Sequence, residues 1–187
     1  MLLDCDGVLA DFTDHLLTLI GSNLTLADIT DWHFLKLLRP NERRAAYMLL
    51  EGEEFWATQP VVAGAREGVD AMRADGHHVV CVTAPWLTCK NWGYIRREWL
   101  KTHFDIEPDD IANWSSKHRV SGDVFIDDKP ENVARWAEAN PGLWPILFDQ
   151  PYNRTATRTS KQIPFDRGHW HPTRPDVRSI SSWVETG

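Results

Sequence analysis

The sequence predicts an α/β fold in which a buried parallel sheet, wound with helices on both faces, carries a small helical cap after its first strand. Short apolar runs alternate with helical patterns along most of the chain, as they do in doubly wound sheets. Between residues 12 and 60 the pattern is helical and contains no convincing strand. We therefore predict a core domain of residues 1–11 and 61–187 and a small helical cap of residues 12–60.

Four short apolar runs are predicted to be the strands of this sheet. They cover residues 1–3, 79–83, 124–126 and 144–148. Continuous apolar runs that are followed by polar residues are typical of parallel strands buried on both faces. The first strand is expected to be short, because only three residues precede Asp4.

Helical patterns separate these runs. The predicted core helices cover residues 65–74, 92–103 and 130–140, and the predicted cap helices cover residues 14–20 and 41–50. Pro130 suits the first turn of the third core helix, and Gly142 suits the region beyond its end. Strand and helix therefore alternate as a doubly wound sheet requires.

The composition excludes several classes of protein. A length of 187 residues suits one compact domain with a small insertion. The formal net charge of −7, with no dense Lys/Arg run, argues against a protein that binds long nucleic acid. No apolar run approaches the ~20 residues of a membrane-spanning helix, so no membrane partner is expected.

The N-terminal region and the cysteines predict a cytoplasmic location. Acidic residues stand where a signal peptide would have its basic region. Cys5, Cys81 and Cys89 are odd in number and follow no CxxC spacing, which favours neither a disulfide framework nor a zinc site. We expect reduced thiols.

Polar residues follow the predicted strands at the points where ligands collect. They are Asp4, Asp6, Thr83, Asp127 and Asp128. Because the carboxyl ends of parallel strands meet at one edge of an open sheet, these side chains are expected to converge. Two unit charges ~4 Å apart repel by roughly 4 kcal/mol at an effective dielectric constant near ~20. The carboxylates therefore predict a bound cation, and a ligand set of oxygens favours Mg²⁺ over zinc.

These residue types suit phosphoryl transfer. Asp4 is predicted to attack phosphorus and form an aspartyl-phosphate, while Asp6 protonates the leaving oxygen and later activates water. Thr83 and Lys117 are the candidates for compensating the charge of the phosphoryl oxygens. A DxD pair alone is more often a solvated turn, but the apolar strand before this pair favours catalysis.

Four motifs resemble those of the haloacid dehalogenase superfamily and occur in the same order. They are DCDGVLAD at Asp4, VCVTAP at Thr83, Lys117, and VFIDDKPEN with Asp127 and Asp128. The resemblance implies a Rossmann-like core with a small cap. The segments EFWATQPVVAGAREGVDAM, RREWLKTHF, SSKHRVSGDVFIDDKPENV and LFDQPYNR further resemble the 5′(3′)-deoxyribonucleotidase branch of that superfamily.

The resemblance also implies roles for individual residues. Asp4 would be the nucleophile and Asp6 the acid/base, and both would bind Mg²⁺, Asp6 through its main-chain carbonyl. Asp127 and Asp128 would be the remaining metal ligands. Thr83 and Lys117 would bind the phosphate.

Three positions depart from that branch. Arg96 replaces a phosphate-binding lysine, Ala84 stands where relatives commonly have serine, and Ser115 stands where they have a base-facing arginine. Arg96 and Ala84 are still predicted to bind substrate, although Arg96 beside Arg97 and Glu98 could equally form a solvated helix face. Base preference therefore stays open.

Aromatic residues of the predicted cap region are candidates for binding a nucleobase. The chain has ten tryptophans, and a nucleobase needs flat apolar partners. The candidates in the cap are Phe12, Trp32, Phe55 and Trp56, and Trp86 outside it is a further candidate. The alternative for each is ordinary core packing, and among them Phe12 is the predicted substrate-binding residue because it follows the first motif.

The predicted function is that of a Mg²⁺-dependent 5′-nucleotidase acting on a small nucleotide, deoxynucleoside monophosphates first. One alternative is a phosphatase of the same superfamily that acts on another small phosphomonoester, such as a sugar phosphate. A less favoured alternative is a non-catalytic binding protein, which would be free to lose Asp4, Asp6 or Asp127. For the segment from about Tyr152, packing over the sheet and self-association as a homodimer both stay open.

Overall fold

The computed structural model describes residues 1–154 and 166–170 and the backbone of residues 178–179. Within these residues, seven strands form one sheet in the order β3-β2-β1-β4-β5-β6-β7, and all neighbouring pairs run parallel. The strands are β1 Leu2–Leu3, β2 Val80–Thr83, β3 Ile111–Asn113, β4 Val124–Asp127, β5 Trp144–Phe148, β6 Asp166–His169 and β7 Arg178–Ser179.

The sheet is wound in both directions from β1. The chain moves outward through β2 and β3 on one side, and then returns to place β4 and β5 on the other side. Leu3 lies level with Cys81 on β2 and with Ile126 on β4. The carboxyl ends of β1 and β4 therefore meet where the strand order reverses, which is where open α/β sheets bind their ligands.

Helices cover both faces of the sheet. The helices that follow residues 12–60 in the chain are α4 Ala65–Ala74, α5 Trp92–Phe104 and α6 Pro130–Ala139. Side chains alternate between the faces along each strand. Leu3 therefore packs in the apolar cluster that includes residues of α4 and α5, whereas Leu2 packs with Trp136 of α6.

Residues 12–60, all of which the structure describes, contain helices and no strand. The helices are α1 Phe12–Leu19, α2 Pro40–Glu51 and α3 Glu53–Ala57, with short 3-10 turns at Leu26–Asp28 and Phe34–Lys36. They share an apolar cluster with Trp92 and Ile95 of α5. The division into a cap of residues 12–60 and a core of residues 1–11 and 61–187 stays a prediction.

The predicted fold class is confirmed, and the sheet is wider than the sequence indicated. The four predicted strands form β1, β2, β4 and β5 with ends shifted by at most one residue. Strands β3, β6 and β7 were not predicted. Within the described part of the chain, no helix has the length and apolar character needed to cross a bilayer.

Trp170, which directly follows β6, packs against helix α4 and bonds to the turn after β1. Its indole Nε1 donates to the carbonyl of Val8 at 2.8 Å, and only 3% of the residue is exposed. The ring lies against Gly68 of α4 so closely that a Cβ on Gly68 would come within 2.3 Å of it. Glycine is therefore required at position 68 because any larger side chain would collide with the Trp170 ring, and not because the backbone has an unusual conformation.

Substituting Gly68→Ala should destabilise the fold by about 1–3 kcal/mol, because an added methyl overpacks a filled contact. The matched control is Gly93→Ala in α5, where a Cβ would meet nothing within 4 Å. That control should gain about 0.5–1 kcal/mol from the better helix propensity of alanine. Denaturant unfolding of both variants tests the comparison, and equal stability of the two would contradict the assigned contact.

Candidate active site

Three buried carboxylates gather at the carboxyl ends of β1 and β4. Asp4 follows β1, Asp127 ends β4, and Asp128 comes next in the chain. Each offers one oxygen, and these oxygens all lie within 4.8 Å of one another. The Asp4 amide donates to the carbonyl of Ile126 at 2.8 Å, so the pairing of the two strands continues up to the site. The predicted convergence of these strand-end residues therefore occurs for this acidic triad.

Lys117 is the cation that the chain itself places in this triad. Its Nζ lies 2.5 Å from Asp4 Oδ1 and 2.8 Å from Asp127 Oδ2. The residue belongs to a 3-10 turn at Lys117–Arg119 and is buried. Burial alone would lower the pKa of Lys117, but the charges of Asp127 and Asp4 outweigh it and raise that pKa. Lys117 is therefore permanently protonated at physiological pH.

One lysine does not neutralise the triad. Burial, followed by the charge of Asp127, raises the pKa of Asp4 well above its usual range. The same two causes raise the pKa of Asp128 to about 7. Additional positive charge beside Asp4 and Asp128 would therefore stabilise their ionised forms. The donors are all hard oxygens, which fit a divalent cation of the Mg²⁺ or Ca²⁺ kind.

Gly7 gives the acidic triad the space it occupies. A Cβ on Gly7 would lie 2.5 Å from Asp128 Oδ2 and 2.7 Å from the hydroxyl of Tyr152. Its φ of +84° is also in the left-handed region that favours glycine. The glycine of the first motif is therefore needed for both contact and conformation.

A second layer of polar groups orients the carboxylates, and the sequence analysis did not assign it. Tyr152 donates from its hydroxyl to Asp128 Oδ2 at 2.5 Å, and Asn153 Nδ2 donates to the Asp128 carbonyl at 2.8 Å. Asn132 Nδ2 reaches both oxygens of Asp127, at 3.0 and 3.2 Å. Their position in the sequence could have indicated this role. Tyr152 and Asn153 follow β5, so they lie at the same edge of the sheet as the carboxylates.

Asp6 lies beside the triad without joining it through its side chain. Its Oδ1 accepts hydrogen bonds from Arg96 Nη2 at 2.8 Å and from Gln59 Nε2 at 3.0 Å. About a quarter of the Asp6 side chain, 27%, is exposed. The predicted binding of a metal through the main-chain carbonyl of Asp6 stays a prediction.

A cavity of about 550 Å³ opens above these residues. Its polar floor contains Asp4, Asp6, Thr83, Lys117 and Asp128, and its walls contain Phe12, Trp32, Phe34, Tyr47, Trp56, Trp86, Ala84 and Ser115. Among the described residues, two buried polar atoms of this lining have no hydrogen-bond partner, namely Thr83 Oγ1 and Trp86 Nε1. Both atoms are donors that a ligand could satisfy.

The structure places two predicted residues away from the cavity wall. Arg96 is 0% exposed and is absent from the lining, because its guanidinium is bonded to Asp6 and Cys5 beneath the floor. The alternative of Arg96 as part of a solvated helix face is therefore wrong. The predicted role of Arg96 as a direct phosphate ligand stays a prediction. Phe55 is likewise outside the lining and packs edge to face against Phe12, with ring centroids 5.3 Å apart.

The family of the chain follows from a sequence match. Residues 1–163 match the model of the family described as 5′ nucleotidase, deoxy (Pyrimidine), cytosolic type C protein. The chain belongs to this 5′-nucleotidase family. It is accordingly a phosphomonoester hydrolase of the haloacid dehalogenase type. A search among curated proteins found no match.

Solved structures share the fold of this 5′-nucleotidase family member at low sequence identity. A haloacid dehalogenase-like hydrolase from Burkholderia xenovorans LB400 is 18% identical, with a TM-score of 0.52, 99% of this chain and 94% of that chain covered. A HAD family hydrolase from Deinococcus radiodurans R1, solved with bound phosphate and sodium, is 15% identical, with a TM-score of 0.55 and coverage of 98% and 91%. These similarities establish the haloacid dehalogenase fold.

The raised pKa values predict that the metal-free protein loses stability as the pH rises. Between about 4 and about 7, the range spanned by the usual and the folded pKa of Asp128, the folded state binds more protons than the unfolded state. The free energy of unfolding therefore falls through this window, by roughly 4 kcal/mol for Asp128 alone, at ~1.4 kcal/mol per pKa unit. Lys117 stays charged throughout and adds no slope.

Thermal unfolding in a chelator across this pH window, repeated with excess Mg²⁺, measures the effect. We expect Mg²⁺ to raise the unfolding temperature most at the upper end of the window, because the carboxylates are ionised there. Asp128→Asn should flatten the pH dependence in the chelator. A slope unchanged by that substitution would refute the assignment to Asp128.

Proposed function

We propose that this protein is a Mg²⁺-dependent 5′-nucleotidase that dephosphorylates nucleoside monophosphates, deoxynucleotides first, through an aspartyl-phosphate on Asp4. The observation that carries the proposal is the union of two surfaces in one cavity: a floor of buried carboxylates with Lys117, and walls of aromatic rings. Membership of the 5′-nucleotidase family supports the same reading.

The surroundings of Asp4 suit a nucleophile. The amide of Cys5 donates to Asp4 Oδ1 at 2.6 Å, and Lys117 contacts the same oxygen. Both contacts fall on Oδ1, so Oδ2 is the oxygen assigned to attack phosphorus. An oriented carboxylate loses little freedom when it reaches a near-attack geometry.

The phosphoryl group would be held by two donors of the floor. Thr83 Oγ1 would donate to one phosphoryl oxygen, which would satisfy a buried hydroxyl that lacks a partner within the described residues. Lys117 would supply the fixed positive charge. Mg²⁺, held by Asp4, the Asp6 carbonyl, Asp127 and Asp128, would when bound screen the carboxylates and withdraw charge from the phosphoryl oxygens.

Asp6 completes the chemistry as acid and base. In the first step Asp4 Oδ2 bonds to phosphorus, the bond from phosphorus to the leaving oxygen breaks, and the carboxyl proton of Asp6 passes to that oxygen. In the second step Asp6 accepts a proton from water as the water oxygen bonds to phosphorus and the bond to Asp4 breaks. The products are a nucleoside and inorganic phosphate.

The aromatic walls would bind the leaving group. Phe12, Trp56 and Trp86 line one cavity, with the Trp56 and Trp86 ring centroids 5.9 Å apart. Trp32 lies opposite Lys129, whose Nζ is 3.7 Å from the ring centroid. Flat apolar surfaces with a few donors suit a nucleobase better than a sugar, which needs many polar partners. Ala84 and Ser115 also line this cavity, and their small side chains would leave room for the phosphate and the base.

Two further expectations accompany this proposal. A cytoplasmic site of action agrees with the word cytosolic in the description of the family. Self-association as a homodimer stays a prediction, and the predicted role of the segment after Tyr152 falls largely outside the described residues.

A substrate panel with Asp4→Asn tests the proposed reaction. Phosphate release from 5′- and 3′-(deoxy)nucleotides and from sugar phosphates, with Mg²⁺ and with a chelator, should favour 5′-deoxynucleotides and require the metal. Asp4→Asn should lower kcat by at least ~10³-fold, because it removes the nucleophile. The control Asp14→Asn changes an exposed aspartate of α1 and should have wild-type activity. Equal activity of Asp4→Asn and wild type would refute covalent attack by Asp4.

Trp86→Phe tests the base-binding wall. The substitution keeps an aromatic ring and removes the donor Nε1, so KM for nucleotides should rise by about 2- to 10-fold, the value of one hydrogen bond. KM for ribose 5-phosphate should not change. Trp114→Phe is the matched control, since Trp114 is half exposed and lies outside the cavity lining. A preference of the wild type for sugar phosphates, unaffected by Trp86→Phe, would favour the alternative substrate class.

A further inference from the structure

Arg96 of α5 is a fully buried cation surrounded by three tryptophan rings. The guanidinium carbon lies 5.4 Å from the ring centroids of both Trp56 and Trp92, and 5.7 Å from that of Trp99. The residue is 0% exposed. An arginine enclosed in this way is costly unless an anion is bonded to it, because the charge has lost its water.

The anion that offsets this charge is Asp6. Arg96 Nη2 donates to Asp6 Oδ1 at 2.8 Å, and Nη1 donates to the Cys5 sulfur at 2.9 Å. Burial would lower the pKa of Arg96, but the charge of Asp6 outweighs it and raises that pKa. The guanidinium thus spans the two residues that follow the nucleophile, and its rigid fork fixes their relative positions.

Gln59 reinforces the same contact. Its side-chain Nε2 donates to Asp6 Oδ1 at 3.0 Å, and its main-chain carbonyl accepts from the indole Nε1 of Trp99 at 2.9 Å. Gln59 is 2% exposed. Arg96 and Gln59 therefore deliver two donors to one oxygen of Asp6, and Trp99 contacts both of the donating residues.

We propose that Arg96 is a positioning residue for the reaction, which holds Asp6 by Oδ1 so that Oδ2 is presented to the phosphoryl group in the cavity. This inference rests on the acid and base role of Asp6 in the proposed function. Asp6 lines the cavity and Arg96 does not, so Arg96 acts through Asp6 rather than on the substrate. An arginine stays protonated throughout, so the proton that passes to the leaving oxygen comes from Asp6 Oδ2 and not from Arg96.

The proposal is tested by comparing a leaving group that needs a proton from Asp6 with a leaving group that does not. A nucleoside leaves as a basic alkoxide and needs a proton, whereas p-nitrophenolate is stable without one. Arg96→Met removes both donors at similar length. It should lower kcat for a nucleoside 5′-phosphate by about 10²-fold, with KM changed less than about threefold. With p-nitrophenyl phosphate, the rate constant of the first-turnover burst reports the transfer of the phosphoryl group to Asp4. In Arg96→Met this rate constant should fall by less than about tenfold.

Two more variants keep the test informative if Arg96→Met folds poorly. Arg96→Lys retains the charge and one donor and should recover part of the nucleotide activity. Gln59→Met removes the second donor to Asp6 and should show the same selective loss, in a smaller measure. Circular dichroism and thermal unfolding of each variant report on the fold separately.

Other outcomes would overturn the proposal. Equal losses on both substrates, with a raised KM and weaker inhibition by inorganic phosphate, would make Arg96 a phosphate ligand. Wild-type kinetics in Arg96→Met would show that Arg96 has no role in the reaction. If the wild type instead prefers another alkyl phosphomonoester, the nucleotide assignment fails while the leaving-group comparison proceeds with that substrate. An active Asp4→Asn would mark failure of the proposed mechanism itself.

Discussion

Electrostatic repulsion among buried carboxylates is the constraint on which the rest of this site depends. The register of β1 against β4 brings Asp4 and Asp127 together, with Asp128 next to them, in a place where their charges are poorly screened. Lys117 bridges two of the three, and Tyr152 donates to the remaining one. The cluster persists because strand pairing fixes it and surrounding donors partly offset its cost. A divalent cation is the natural completion of such a set.

The cavity separates the chemistry of the reaction from the choice of substrate. Its floor comes from strand ends of the sheet, where backbone pairing holds side chains within tight limits. Its walls come largely from residues 12–60 and the segment after β2, which vary more easily without disturbing the sheet. A phosphomonoester hydrolase of this fold can therefore keep one mechanism and change its leaving group, and the proposed preference for a nucleotide depends on the aromatic walls.

The buried cation Arg96, which lies beneath the cavity floor, links the floor to the cavity walls. Arg96 lies among tryptophans contributed by α3 and α5 and bonds to Asp6 after β1. Its charge is offset by one carboxylate and by the electron-rich faces of the rings. Because the arginine is desolvated, removing either partner would leave an uncompensated group, so Asp6 and Arg96 are energetically coupled. That coupling joins the helical segment to the sheet at the reacting end.

The sequence by itself determined the α/β class and the acidic strand ends, because continuous apolar runs and the residues that follow them report on a parallel sheet directly. Tertiary structure alone decided the rest. Strand β3 Ile111–Asn113 has only three residues, two half-buried and one exposed, and it carries no continuous apolar run. The place of Arg96 beneath the floor depends on rings from separate helices, and the contact of Tyr152 with Asp128 joins residues 24 apart in the chain. Local periodicity records which face of an element is apolar, and it contains no information on which distant side chains meet there.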